Sequence, residues 1–162
     1  TINNGVPMRG WYDIVGMDFR SRADMAGVRE SVAQVEALIA REIERGITPE
    51  QIFLAGFSQG GAIILTAALS RTAPLAGLIA LSTYLPDADS AERVATAVDV
   101  PVFMAHGSGD PVIPQAVAAH SAQALRALGL QVQWHSYPMA HQVCAEEIDA
   151  LGDWLQERLG VA

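Results

Sequence analysis

Ile52-Phe53-Leu54-Ala55-Gly56-Phe57-Ser58-Gln59-Gly60 is an apolar run that ends abruptly in one hydroxyl set between two glycines. The run from Ile52 to Phe57 reads as a buried strand, and the apolar stretch from Gln59 to Ser70 reads as a helix. Ser58 therefore falls on the turn between them. Gly-x-Ser-x-Gly permits a sharp strand-to-helix turn, because glycines tolerate close backbone passage and the Ser side chain is pushed out at the tip.

Outward from this turn the same alternation continues. Leu75 to Ser82, Val100 to Ala105 and Leu130 to Tyr137 are further short apolar runs. The last alternates Val132 and Trp134 with Gln131, Gln133 and His135, as an edge strand does. Helices are predicted from about Asp24, where Val28, Val32, Val35, Leu38, Ile39 and Ile43 recur at helical spacing, to a stop at Gly46. Others run from Pro114 to Leu128, stopping at Gly129, and from Ala145 to Leu159 with Ile148, Leu151, Leu155 and Leu159 on one side. Thr48-Pro49-Glu50 starts one further turn, with Thr48 as its cap. Part of Pro86 to Val98 is compatible with a helix, and Thr1 to Ala23 reads as irregular. Strands and helices in alternation imply an α/β fold: a mostly parallel sheet with helices on both faces, in one domain spanning residues 1–162.

Composition narrows the function. The 162 residues are 51% hydrophobic and 17% charged, enough to bury roughly two thirds of the surface the unfolded chain exposes. A net charge of −8 with no cluster of Lys or Arg argues against nucleic acid and anionic membrane surfaces. No apolar run is long enough to span a bilayer, so stable membrane insertion is not expected. One cysteine, Cys144, allows no intrachain disulfide and fits a reducing, cytoplasmic compartment. The chain opens on Thr1 rather than Met, which reads as a processed start or a piece of something longer.

In an open parallel sheet, ligands bind at the carboxyl ends of the strands, where Ser58 lies. A serine becomes a nucleophile when a histidine takes its proton and a carboxylate holds that histidine. Asp110, in the loop His106-Gly107-Ser108-Gly109-Asp110 after the third run, and His141, after Tyr137-Pro138-Met139-Ala140, occupy such ends in the order Ser, Asp, His. Asp87 and Asp89, after the second run, stay open on position. Asp99 precedes a strand, at the wrong end of the sheet, and Asp153 sits within the last helix. His120 and His135 read as structural or exposed, and His106 as a hydrogen-bonding residue behind the site. Gln59 would offer its backbone N–H, at a helix N-terminus, to an oxyanion. No His, Cys, Asp or Glu grouping has metal-ligand spacing, and neither G-x-G-x-x-G nor a P-loop occurs, so neither a metal nor a nucleotide cofactor is expected.

Trp11-Tyr12-Asp13-Ile14, Gly56-Phe57-Ser58-Gln59-Gly60-Gly61-Ala62, Leu81-Ser82-Thr83-Tyr84-Leu85-Pro86, His106-Gly107 with Asp110, and Tyr137-Pro138-Met139 with His141 together resemble the bacterial carboxylesterase/acyl-protein thioesterase family of α/β-hydrolases. The resemblance implies Ser58 as nucleophile, Asp110 as orienting acid and His141 as general base. It implies hydrolysis of short-chain carboxylic esters, S-acyl thioesters or lysophospholipids without a cofactor, on a small-molecule substrate. Trp11, Met17, Leu85 and Met139 are candidate walls of an acyl pocket. Two departures stand out. Ala140 replaces the glycine that usually precedes the family histidine, and no His-Gly-Leu-Gly loop, the family's second oxyanion donor, occurs before Ser58. The sheet would then lack the family's amino-terminal strands, leaving an apolar edge for a second copy to cover as a homodimer. The competing reading is an esterase-derived domain, weak or inactive in catalysis, that binds or scaffolds through this edge.

Overall fold

Among the described residues, four strands lie side by side in chain order, all parallel: β1 (Phe53–Phe57), β2 (Gly77–Leu81), β3 (Pro101–Gly107) and β4 (Gln131–Tyr137). This is an α/β-hydrolase-type sheet. The computed structural model describes residues 9–16, 18, 23–94 and 100–161. The register places Phe57 beside Leu81, Leu81 beside Ala105 and Ala105 beside His135, so the strands end near one level. The three loops that carry the candidate residues leave from that level.

Period-two alternation sorts the side chains onto two faces. Leu54, Leu78, Ala80, Val102, Met104 and Val132 face α2 (Gln59–Ser70) and α3 (Gln115–Ala127), whose Leu65, Leu69, Ala118, Ala122 and Leu125 complete the largest core cluster. Phe53, Ile79, Phe103, Ala105 and Tyr137 face α4 (Ala145–Leu159) through Ala150, Leu151, Trp154 and Leu155. Each large side chain buried this way contributes about 1.5–3 kcal/mol. α1 (Met25–Glu44) packs outside α2 with Val28, Val35 and Ile39 inward. The side chain of Asp24 accepts the Ala26 N–H at 3.0 Å to start that helix, and Gly46, at φ +94°, ends it. Pro49–Gln51 forms a short 3-10 turn closed by a Thr48–Gln51 capping box.

The element boundaries predicted from sequence and those observed differ by one or two residues in most places. Two readings need correction, and a third is answered in part. The apolar stripe of α4 is not Ile148-Leu151-Leu155-Leu159. Ile148 and Leu159 are 53% and 61% exposed, whereas Trp154 and Glu147 turn inward. Of the stretch Pro86 to Val98, residues 86–94 form turns and irregular chain rather than helix, and residues 95–98 lie outside the described residues. The opening segment is not wholly irregular, since Ile14 and Ala23 make an antiparallel bridge. No helix among the described residues is long and apolar enough to cross a membrane.

Candidate active site

The elbow predicted at Ser58 is present. Ser58 sits between β1 and α2 at φ 54° and ψ −120°, a conformation that costs a side-chain-bearing residue on the order of 1–3 kcal/mol. Its neighbours hold it there. The Ser58 N–H donates to Leu81 O at 3.0 Å, and Ser58 O accepts from Ala62 N at 3.2 Å. Thr83 Oγ1 donates to the same carbonyl at 2.6 Å. A Cβ on Gly56 would come within 2.4 Å of the Gly60 and Gly61 backbone, so only glycine lets the first turn of α2 fold back over β1.

The acid loop and the histidine loop are fastened to each other. Ser108 N donates to Tyr137 O at 2.8 Å and Gly109 N to Met139 O at 3.1 Å. A Cβ on Gly107 would meet the Met139 and Ala140 carbonyl oxygens at 2.4 Å. The glycine at 107 is what lets these loops touch. Ala140 itself is exposed, so its methyl group is accommodated at the surface.

Three side chains consequently line up. Ser58 Oγ is 3.0 Å from His141 Nε2, and His141 Nδ1 is 2.7 Å from Asp110 Oδ2. A carboxylate only accepts, so His141 Nδ1 carries the hydrogen and Nε2 is left bare toward the serine hydroxyl. Asp110 Oδ1 accepts the Val112 and Ile113 N–H groups at 2.8 and 2.9 Å. Burial works to raise the Asp110 pKa, but the Ile113 N–H, His141 and the Val112 N–H outweigh it and hold the carboxyl below its ordinary range. Gln59 opens α2, where backbone N–H groups have no acceptor within the helix, directly beside Ser58.

The other histidines make different contacts. His106 is fully buried, with Nε2 2.8 Å from Ile113 O and 3.3 Å from Asp110 Oδ2. Burial lowers its pKa, the Ile113 carbonyl and Asp110 opposing. Its Nδ1 has no hydrogen-bond partner among the described residues, so protonating the ring would bury an unpaired N–H at a cost of about 1–3 kcal/mol. His120 bonds Asp89 at 2.7 Å on the surface. His135 stacks on Phe103 at 4.5 Å, and burial lowers its pKa. Asp87 accepts from Ser90 Oγ, Asp153 is exposed, and Asp99 lies outside the described residues.

Of the candidate pocket residues, Leu85 lines a cavity of about 360 Å³ together with Tyr84, Ala88, Val117 and His120. Ser58 and His141 are not on its walls. Tyr84 and Leu85 nevertheless directly follow Thr83, the residue that grips the Ser58 carbonyl. Trp11 is 40% exposed, and a Cβ on Gly60 would lie 3.5 Å from its indole nitrogen. Met139 is buried within the histidine loop, and Met17 lies outside the described residues. Three contacts escaped the sequence reading. The Phe57 ring lies 4.8 Å from that of His141. Thr83 supports the elbow. The Gln59 side chain clamps the opening strap, accepting from Trp11 N at 3.1 Å and donating to Tyr12 O at 2.9 Å. Only Phe57 had a signal, as the residue just before the serine on the strand.

Comparison with known proteins gives a consistent picture. The sequence pattern described as phospholipase/carboxylesterase matches residues 1–159. Acyl-protein thioesterase 1 of Neurospora crassa is 40% identical, the match covering 98% of this chain and 69% of that protein. The Gibberella zeae protein of the same name is 38% identical, covering 98% and 72%. Among solved structures, Arabidopsis thaliana SOBER1 superposes with a TM-score of 0.85 at 29% identity, covering 97% of this chain and 77% of that one. Zea mays acyl-protein thioesterase 2 gives a TM-score of 0.74 at 25% identity, covering 92% and 72%.

Proposed function

Because this chain belongs to the phospholipase/carboxylesterase family, whose members here are ester or thioester hydrolases, we propose that it cleaves short-chain carboxylic esters or S-acyl thioesters through an acyl-enzyme on Ser58. The observation that carries the proposal is the continuous line of contacts Ser58–His141–Asp110, at 3.0 and 2.7 Å.

Ser58 Oγ attacks the acyl carbon while His141 Nε2 takes its proton, and Asp110 balances the imidazolium that forms. The Gln59 N–H donates to the oxyanion. Collapse of the tetrahedral intermediate breaks the bond to the leaving oxygen or sulfur, which receives the proton from His141. Water then attacks the acyl-serine, again giving its proton to His141, and the acid leaves with Ser58 restored.

A Ser58→Ala variant is expected to lose p-nitrophenyl butyrate turnover by about 10⁴-fold or more while keeping its folded circular dichroism. Turnover at the parent rate would rule out Ser58 as the nucleophile. Parallel assays with an oxoester and the S-acyl thioester of the same acyl chain decide which leaving atom is preferred.

A further inference from the structure

We propose that His106 is a positioning residue, which through Ile113 locks the turn that aims the Asp110 carboxylate at His141. The inference rests on the reading of Ser58, His141 and Asp110 as the reacting set.

His106 is the penultimate residue of β3, fully buried, with its ring against that of Trp134 at 6.2 Å and an interplanar angle of 16°. A peptide carbonyl only accepts, so the 2.8 Å contact with Ile113 O places the ring hydrogen on Nε2. Nδ1 is then a bare lone pair, in keeping with its lack of a partner. Ile113 is held at both ends, its N–H on Asp110 Oδ1 at 2.9 Å and its carbonyl on His106. His106 Nε2 also lies 3.3 Å from Asp110 Oδ2, the oxygen that receives the His141 N–H. His106, Ile113 and Asp110 thus close a circuit, and rotating the Asp110 carboxylate breaks one of its contacts. The ring does not replace His141 as the base, because the nitrogen beside Asp110 carries the hydrogen and the bare Nδ1 is buried with no hydrogen-bond partner among the described residues.

Three measurements test this on the intact chain. In ¹⁵N spectra of the wild-type protein at neutral pH, His106 is expected as the neutral Nε2–H tautomer; an Nδ1–H tautomer or an imidazolium would overturn the proposal. His106→Leu is expected to lower kcat on p-nitrophenyl butyrate by about 10²-fold with KM unchanged. His106→Gln, whose side-chain N–H reaches toward Ile113 O, is expected to recover most of that loss. Equal loss in the two variants, or a loss confined to KM, contradicts it. If His106→Leu does not fold, the Gln variant and the tautomer decide. A wild-type protein that neither hydrolyses the ester nor reacts at Ser58 would instead defeat the underlying reading, and the tautomer would still be informative about His106.

Discussion

Two buried carboxyl groups flank the histidine loop, and they are treated in opposite ways. Asp110 comes from the loop after β3 and Glu147 from the first turn of α4, where it is fully buried. Burial pushes the pKa of each upward. For Asp110 the Ile113 N–H, His141 and the Val112 N–H reverse the effect. For Glu147 burial prevails and its pKa is raised, the nearby Cys144 backbone opposing only in part. Apart from the weak approach of the Cys144 backbone N–H, neither Glu147 oxygen has a hydrogen-bond partner among the described residues. Burial alone therefore does not decide how a carboxyl group titrates. What separates them is the number of donors aimed at each, and three converge on Asp110.

The comparison can be broken most severely at Asp110. Asp110→Asn keeps the shape but not the charge, and no longer enforces the His141 tautomer that leaves Nε2 bare. Turnover is expected to fall about 10⁴-fold, measured with a chromogenic ester; a small loss would mean that another carboxylate orients His141. Next comes the contact that brings the two loops together. Gly107→Ala places a methyl group 2.4 Å from two carbonyl oxygens. It is expected to cost about 1–3 kcal/mol in denaturant unfolding and about 10²-fold in kcat.

The gentlest probe is pH. The raised pKa of Glu147 means that its stabilising contribution is complete below the unfolded value of 4.5 and is lost as pH rises through the folded value. Glu147→Gln should remove that decline. Asp110 acts in reverse. Its contribution is present above the unfolded value of 3.8 and is lost as pH falls through the depressed folded value. Denaturant midpoints across a pH series, with and without the Glu147 substitution, separate these two limbs. An unchanged decline in Glu147→Gln would assign the loss of stability to another group.

The fold was largely legible because each strand is a short apolar run punctuated by glycine or a polar turn. The bounds of α2 and α4 coincide with those predicted. The candidate triad was legible as well, since chain order and strand ends locate Ser58, Asp110 and His141 without any knowledge of contacts. The face of α4 was not. Glu147 carries a charge that reads as solvent-facing, so the apolar pattern runs through Ile148 instead. Long-range polar contacts left no trace in local pattern either. The Gln59 clamp joins residues 47 and 48 positions apart, and the cavity wall includes small residues of α3, Ala116 and Val117, that look like ordinary helix surface.

The most direct measurement is intact and peptide mass spectrometry after exposure to a fluorophosphonate. The geometry predicts one covalent adduct, located on Ser58, formed by the wild-type chain and absent from Ser58→Ala. An unmodified wild-type chain, or an adduct on any other residue, would contradict the assignment of Ser58 as the nucleophile.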